Sequence, residues 1–372
     1  MINPTEFVEE LAAHDIDLFC GVPDSLLKDF CACISQPGLA GRNTITANEG
    51  NAVGMACGYH LASGRAALVY MQNSGQGNAV NLLLSIADPG VYSMPMMLLV
   101  GWRGQPGVSD EPQHVKQGKV TTTLLEAMDI DYRVLGDNWR SDVQACARIM
   151  WERSKPVALV VPKGTFEAFA YEPAAGDAPL LREEALEVVL GQLGSDDFVV
   201  STTGKTSREV FEIRERRGQG HDHDFLTVGG MGHTSSIAFG MALGTDKNVW
   251  CIDGDGAFLM HMGASGVIAQ NAPDNFKYIL NNNGAHESVG GQPTVGMQID
   301  APGVLRACGF HVVEVQTEDQ LVQGVQALRS RPRSALVITT RQGSRADLGR
   351  PTTTPLQNKD AIMDALGSRG RD

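Results

Sequence analysis

Short apolar runs alternate with polar, glycine-rich turns along most of the chain. Such runs predict buried strands, and they cover residues 17–22, 66–70, 96–101, 157–161, 198–201, 249–252, 276–280 and 335–340. Apolar residues at helical spacing occupy the intervening stretches, including 5–14, 49–65 and 318–328. Strands that alternate with helices favour parallel sheets covered by helices. The pattern therefore predicts an α/β protein.

The alternation occurs twice, on either side of a stretch rich in alanine and proline. This stretch, residues 169–183, is typical of an exposed linker between domains. It divides the chain into residues 1–168 and 184–372, two halves of similar size without a sequence repeat. Twin α/β domains are predicted.

Composition narrows the class of function. A hydrophobic content of 42% with 20% charged residues is ordinary for a globular protein, and the net charge of −13 argues against nucleic-acid or anionic-membrane partners. The N-terminal stretch predicts an acidic amphipathic helix, which resembles neither a signal nor a transit peptide. Seven cysteines without a Cys-x-x-Cys pair indicate reduced thiols, so a cytoplasmic protein is expected.

Polar side chains follow two neighbouring predicted strands of the second half. Asp255 lies in the Gly254-Asp255-Gly256 turn, and Asn282 follows the next strand, just before Gly284. Because the carboxyl ends of parallel strands meet at one edge, a carboxylate, an amide and a backbone carbonyl would converge there. Such oxygens suit Mg²⁺ on a phosphate ligand. The plainer interpretation is an ordinary βαβ unit with an acidic turn.

Strand ends in the first half carry further candidates. Glu49 opens a predicted helix, where the helix dipole favours a carboxylate with or without another role. Asp24 and Ser25 follow the first strand and either cap a helix or contact a substrate. Asn73 and Gly75 belong to a glycine-rich turn, which is a plain strand–helix junction or part of a site.

Residues 102–118 are predicted to form a long loop rich in proline and glycine. Loops of this length are often functional. Arg103, His114 and Lys116 lie in it, where they meet an anionic substrate or are simply solvated. Three later arginines, Arg341, Arg345 and Arg350, suit either anion binding or a subunit interface.

The spacing of 27 residues between Asp255 and Asn282 resembles the signature of thiamine-diphosphate-dependent decarboxylases. The E-G-N-A stretch from Glu49 and the Gly-Gly-Met-Gly turn from Gly229 appear in the order typical of that family. The resemblance implies two thiamine-diphosphate-binding-fold domains, a pyrimidine-type followed by a diphosphate-type. The chain has no room for the middle domain of larger members.

The resemblance also implies residue roles. Glu49 would bond N1′ of the aminopyrimidine, with the Gly75 turn beside it. Met231 would support the bent cofactor, the Gly229 carbonyl would accept from its 4′-amino group, and Asp255, Asn282 and the Gly284 carbonyl would hold Mg²⁺. The remaining cofactor contacts would come from Gly232, Gly254 and Gly256.

Several longer stretches, including GVPDSLLK and NNNGAHESVGGQPT, resemble the two-domain phosphonopyruvate decarboxylases, with the sulfopyruvate decarboxylases near. This similarity implies conversion of 3-phosphonopyruvate to phosphonoacetaldehyde and CO₂ in phosphonate biosynthesis. Asp24, Ser25, Asn73, Arg103 and Lys116 would then contact an anionic 2-oxo acid.

Three questions stay open at this point. The proton donor is His114 or His286, because the paired histidines of pyruvate decarboxylase are missing from the sequence. Sulfopyruvate is the alternative substrate, although a fused chain favours phosphonopyruvate, and a non-catalytic cofactor-binding protein is the alternative class. The family resemblance also implies a homo-oligomer with its sites at subunit interfaces.

Overall fold

The computed structural model describes residues 1–39, 42–171 and 176–368. They form two compact units, of which the first holds the residues up to 171 together with Val289–Gln292. The second holds residues 176–288 and those from Pro293 onward. Within the predicted linker at 169–183, residues 172–175 lie outside the described part of the chain. The domain boundaries at 168 and 184 remain a prediction.

The first unit is built on a six-stranded, fully parallel sheet in the order β2-β1-β3-β4-β6-β5. A one-turn 3₁₀ helix covers Asn73–Gly75. The other elements, in chain order, are α1 (Pro4–Ala12), β1 (Ile16–Gly21), α2 (Lys28–Ile34), β2 (Asn43–Ile45), α3 (Glu49–Ser63), β3 (Ala66–Gln72), α4 (Gln76–Ser85), β4 (Met96–Gly101), α5 (Pro112–Ala127), β5 (Asp131–Val134), α6 (Trp139–Arg153) and β6 (Pro156–Val161).

Apolar side chains on both faces explain why this sheet is covered on both sides. Every residue of β4 and β6 is buried, and two separate hydrophobic clusters pack against the opposite faces of the sheet. The functional candidates follow β1, β3 and β4, so they share the carboxyl edge of the sheet.

The second unit repeats the architecture, with parallel strands in the order β13-β14-β10-β9-β7-β8. Its elements are α7 (Arg182–Gly191), β7 (Phe198–Ser201), α8 (Lys205–Arg216), β8 (Asp224–Leu226), α9 (Thr234–Leu243), β9 (Val249–Gly254), α10 (Asp255–Met260), α11 (Ala264–Asn271), β10 (Phe276–Asn282), β11 (Ala285–His286), α12 (Ala301–Cys308), β13 (His311–Val315), α13 (Glu318–Ser330), β14 (Ser334–Thr339) and α14 (Pro355–Ala365). Strand β12 (Gln292–Pro293) lies where the chain returns from the first unit to the second. The predicted α/β fold class with two domains of parallel sheet is confirmed.

The predicted loop at 102–118 was wrong in its second half. Helix α5 begins at Pro112, so His114 and Lys116 lie on a helix and the loop ends at Glu111. Proline suits the first turn of a helix, where its missing N–H is not needed, and there it starts a helix instead of interrupting one.

The segment that begins at Asp255 forms two helices. Helix α10 ends at Met260 and α11 begins at Ala264, with His261–Gly263 between them. Strand β10 extends through Asn282, so this side chain is held in the sheet itself.

None of the helices in the described part of the chain is both long and apolar enough to cross a membrane. All seven cysteines are free, and six of them are buried.

Candidate active site

The Glu49 carboxyl is buried at the start of α3 in the first unit. Its side chain is 4% exposed, and burial raises the pKa of this carboxyl above its usual range. Asn78, on α4, donates a hydrogen bond from Nδ2 to Glu49 Oε2 at 2.7 Å. The result is an oriented carboxyl group that retains its proton more readily than an exposed glutamate.

Gly75 leaves room for this carboxyl. A Cβ on Gly75 would overlap Oε1 of Glu49, so any side chain at this position would displace the acid. The 3₁₀ turn after β3 thus contacts Glu49 directly. The structure brings together Glu49 and Gly75, both sequence candidates, and adds Asn78.

Asp24 is completely buried where the chain leaves β1. Leu26 donates its backbone N–H to Asp24 Oδ2 at 3.1 Å, while Oδ1 is buried and has no hydrogen-bond partner among the described residues. Burial raises the pKa of Asp24 to about 6, against the opposing charge of Arg103. A Cβ on Gly101, at the end of β4, would overlap Asp24 Oδ2. The carboxyl is therefore tightly enclosed.

Arg103 lies beside Asp24 and is held by an acid that the sequence did not single out. Its Nε donates to Asp110 Oδ2 at 2.8 Å and its Nη2 to Oδ1 at 2.5 Å. The third donor, Nη1, bonds Ser25 Oγ at 2.8 Å. Burial would raise the pKa of Asp110, but the hydrogen bonds that it accepts from Arg103 and from the Glu111 and Gly104 N–H groups, together with the Arg103 charge, lower it. Arg103 is thus a neutralised, oriented cation.

Asn73 joins the same group of residues. Its Nδ2 donates to the Arg103 carbonyl at 2.8 Å and to Thr121 Oγ1 at 2.9 Å, while its buried Oδ1 has no partner in the part of the chain that the structure describes. His114 is 8% exposed, and burial followed by the charge of Arg103 lowers the pKa of its imidazole. Lys116 is exposed on α5, and within the described residues no hydrogen bond or ion pair joins it to this group.

We expect the buried Asp24 carboxyl to make stability depend on pH. Its folded pKa of about 6 exceeds the ordinary aspartate value of 3.8, so its stabilising contribution is present below about pH 4 and lost as pH rises through 6. Relative to Asp24→Asn, the wild type should lose up to about 3 kcal/mol of unfolding free energy between pH 4 and 8. Urea denaturation at several pH values measures this difference.

The exposed Asp137→Asn variant is the control, because burial does not penalise that carboxyl. Parallel pH profiles for the wild type and Asp24→Asn would contradict the prediction.

Asp255 and Asn282 converge in the second unit. They are 4% and 6% exposed and lie at the carboxyl ends of the paired strands β9 and β10. A Cβ on Gly296 would lie 2.9 Å from Asp255 Oδ2 and 2.7 Å from Asn282 Oδ1, so both oxygens face the same glycine. Burial raises the pKa of Asp255 to about 6. The two strongest candidates for metal ligands are therefore neighbours.

A short segment after β10 completes this group. Thr294 donates its hydroxyl to Asp255 Oδ2 and its backbone N–H to the Gly284 carbonyl, the latter at 2.9 Å. The Gly284 N–H donates to Asn282 Oδ1 at 3.1 Å. Among the described residues no three His, Cys, Asp or Glu side chains form a metal cluster, so any ion here would depend on amide and carbonyl oxygens beside Asp255.

The predicted cofactor turn at Gly229–Gly232 packs against His261 and Met260, and its Met231 side chain lies beside Gly256. Gly232 has a φ of 87°, and a Cβ there would lie 2.6 Å from the His261 ring. A Cβ on Gly256 would lie 2.9 Å from His286 and 3.2 Å from the Met231 methyl group. Met231, Gly256 and His286 therefore border the same space. Burial lowers the pKa of His286 to about 4, which keeps its imidazole neutral at pH 7.

The other predicted cofactor residues lie in the same two turns. Gly229 immediately precedes Gly230, which has a φ of 63°. Gly254 ends β9 with an extended backbone, one residue before Asp255.

The comparisons identify both units. Residues 5–125 match "Thiamine pyrophosphate enzyme, N-terminal TPP binding domain", and residues 202–339 match the C-terminal TPP binding domain of the same enzymes.

Relatives match across nearly the whole chain. A phosphonopyruvate decarboxylase of Streptomyces viridochromogenes is 33% identical over 96% of this chain and 93% of its own length. One from Streptomyces hygroscopicus is 32% identical over 95% and 92%. A sulfopyruvate decarboxylase of Methanosarcina acetivorans is 28% identical over 89% of each chain. The chain belongs to the thiamine-pyrophosphate-dependent decarboxylases, in the group that includes the phosphonopyruvate and sulfopyruvate decarboxylases.

Proposed function

We propose that this enzyme decarboxylates 3-phosphonopyruvate to phosphonoacetaldehyde and CO₂ with thiamine diphosphate and Mg²⁺, as a step of phosphonate biosynthesis. The observation that carries the proposal is the similarity to two phosphonopyruvate decarboxylases across nearly the whole chain. The sulfopyruvate decarboxylase matches less of the chain at lower identity.

The donor sets fit the cofactor and its metal. When bound, thiamine diphosphate supplies the electron sink that accepts the electron pair left as CO₂ departs. Glu49 would donate a hydrogen bond to its aminopyrimidine from a buried carboxyl that favours the protonated form. Asp255 and Asn282 would hold Mg²⁺ on the diphosphate, together with the second lone pair of the Gly284 carbonyl.

Asp24, Ser25, Asn73 and Arg103 would bind the anionic substrate. Arg103 presents a guanidinium fixed by Asp110 and Ser25, and the buried Oδ1 of Asn73 has no hydrogen-bond partner among the residues that the structure describes. Of the two predicted proton donors, His286 is disfavoured because its imidazole is neutral at pH 7, and the pKa of His114 is also lowered. Asp24, whose pKa burial raises to about 6, is a third candidate for the proton donor.

Sulfopyruvate is the competing substrate. The Methanosarcina acetivorans enzyme aligns with both halves of this chain, so the fused organisation does not discriminate between the two substrates. A phosphonate carries up to two negative charges and a sulfonate one. Discrimination between the two substrates would therefore depend on the cations that face the phosphonate or sulfonate group.

A substrate comparison tests the proposal directly. The purified chain, with thiamine diphosphate and Mg²⁺, is assayed for aldehyde with phosphonopyruvate, sulfopyruvate and pyruvate at equal concentration. We expect the largest kcat/KM for phosphonopyruvate. If sulfopyruvate is preferred, the proposed cofactor chemistry stands but phosphonopyruvate is not the substrate. If none of the three acids gives an aldehyde, both the proposed chemistry and the proposed substrate are rejected.

The proposed enzyme is a homo-oligomer with sites completed between subunits, as the family resemblance implies. Light scattering on the purified chain gives the mass in solution, and a monomeric mass would reject this part of the proposal.

A further inference from the structure

Four charged side chains of the second unit form a cluster next to the Asn282–Gly284 turn. This cluster, named here the Glu287 cluster, contains Arg182, Lys205, Glu209 and Glu287. Arg182 Nη1 lies 2.8 Å from Glu287 Oε2, and Lys205 Nζ lies 3.1 Å from Glu287 Oε1. Arg182 also bonds both oxygens of Glu209 at 2.7 Å. Two cations thus meet two carboxylates.

The cluster draws its members from three separate parts of the unit. Arg182 is the first residue of α7, and Lys205 is the first residue of α8. Glu209 lies one turn further along α8, and Glu287 follows β11. Because these elements are distant in sequence, the contacts fix the segment after Asn282 against two helices at once.

A hydrogen bond connects the cluster to the candidate metal site. Asn283, between Asn282 and Gly284, donates from Nδ2 to Glu287 Oε2 at 2.8 Å. Its Oδ1 accepts from the Ala285 N–H at 3.2 Å. The Asn283 side chain is thus held at both ends, and its two neighbours supply the proposed metal-binding oxygens.

Stability alone is a weak reason for such a cluster. The Arg182 and Glu209 side chains are 8% and 0% exposed, and desolvating buried ion pairs offsets most of their attraction. Burial would also raise the pKa of Glu287, but the charges of Arg182 and Lys205 lower it. Glu287 is therefore an ionised carboxylate at neutral pH, unsuited to proton donation. Its contacts suit a role in holding the turn.

We propose that Glu287 is a positioning residue. Anchored by Arg182 and Lys205, it holds Asn283 and so fixes the Asn282 side chain and the Gly284 carbonyl for Mg²⁺ and diphosphate. The inference rests on the proposed function, because it concerns that metal site. Residues that hold metal ligands typically contribute about 10–100-fold to metal affinity.

The test measures binding instead of turnover. The full chain, freed of cofactor, is titrated with Mg²⁺ at a fixed thiamine diphosphate concentration in a calorimeter. Glu287→Gln keeps the size of the side chain and removes its charge. We expect it to raise the Kd for Mg²⁺ by at least about tenfold.

The matched control is Asp224→Asn. Asp224 is 0% exposed and accepts two bonds from Arg214 at 3.0 Å, so the variant breaks a comparable buried pair on β8 of the same unit. It should lower the thermal midpoint and leave the Kd for Mg²⁺ unchanged. If Glu287→Gln behaves in the same way, its role is purely structural and the inference is overturned.

Two further variants keep the outcomes distinct. Lys205→Met removes one of the two cations that hold Glu287 and leaves Arg182 in place, so it replaces Glu287→Gln as the test if that variant does not fold. An unchanged Kd for Mg²⁺ in folded Lys205→Met overturns the inference. Asp255→Asn tests the metal site itself. If that variant binds Mg²⁺ and cofactor like the wild type, the proposed site fails, whatever Glu287 does.

Discussion

Glu49→Gln should bind thiamine diphosphate nearly as well as the wild type and lose almost all turnover. The substitution preserves the size of the side chain against Gly75, and the amide oxygen can still accept from Asn78. It removes the exchangeable proton that a carboxyl with a raised pKa can give and take. Because positioned acid–base groups contribute about 10²–10⁴-fold, kcat should fall by that range.

Steady-state kinetics and calorimetric binding of the cofactor together check this expectation. Asn78→Ala serves as the graded comparison, because it removes the donor to Oε2 and leaves the acid in place. That variant should lose less activity than Glu49→Gln. Wild-type kcat in Glu49→Gln would remove the acid from the mechanism, and loss of cofactor binding would make its role structural.

The positions of Glu49, Asp255 and Asn282 could be predicted because they depend on local patterns. Each lies at an end of an apolar strand or at the start of a helix, and hydrophobic periodicity locates such ends. Parallel topology then brings the strand ends to one edge of a sheet. The same reasoning predicted both sheets, although it could not show that β10 includes Asn282 itself.

The contact partners could not be predicted, because they depend on how distant segments fold back. Asp110 neutralises Arg103, which the sequence had presented as a free cation. Gly296 and Thr294 lie about 40 residues after Asp255 and still border its carboxylate. A glycine that makes room for two oxygens has no signature in the hydrophobic pattern. Only its tertiary contacts reveal it.

The contact partners of the arginines near the C-terminal end of the sequence could not be predicted either. Arg345 pairs with Glu183 and Glu212 of its own unit, and its role at an anion or a subunit interface stays a prediction. Arg341 donates to the Pro179 carbonyl and lies 3.7 Å from Glu184. These contacts attach the segment after β14 to α7 and α8, a role that composition alone does not suggest.

Asp255→Asn should abolish the Mg²⁺ dependence of cofactor binding. The carboxylate is the one charged oxygen donor among the three proposed metal ligands, and Asn replaces it with a neutral group of equal size. Since even the residues that hold ligands contribute about 10–100-fold to metal affinity, loss of this ligand should raise the Kd for Mg²⁺ by at least about 100-fold. Calorimetric titration with Mg²⁺ in the presence of thiamine diphosphate gives the value.

Asp253→Asn is a demanding control for this prediction. Asp253 lies two residues earlier, is 1% exposed, and also has a pKa that burial raises to about 6. Its two oxygens accept from Tyr278 Oη at 3.1 Å and from the Gly254 N–H at 3.0 Å, and it is not one of the three proposed metal ligands. If the two variants weaken Mg²⁺ binding equally, the loss comes from removing any buried carboxylate at the end of β9 and does not identify Asp255 as a ligand. If only Asp255→Asn weakens it, the oxygen facing Gly296 is the ligand.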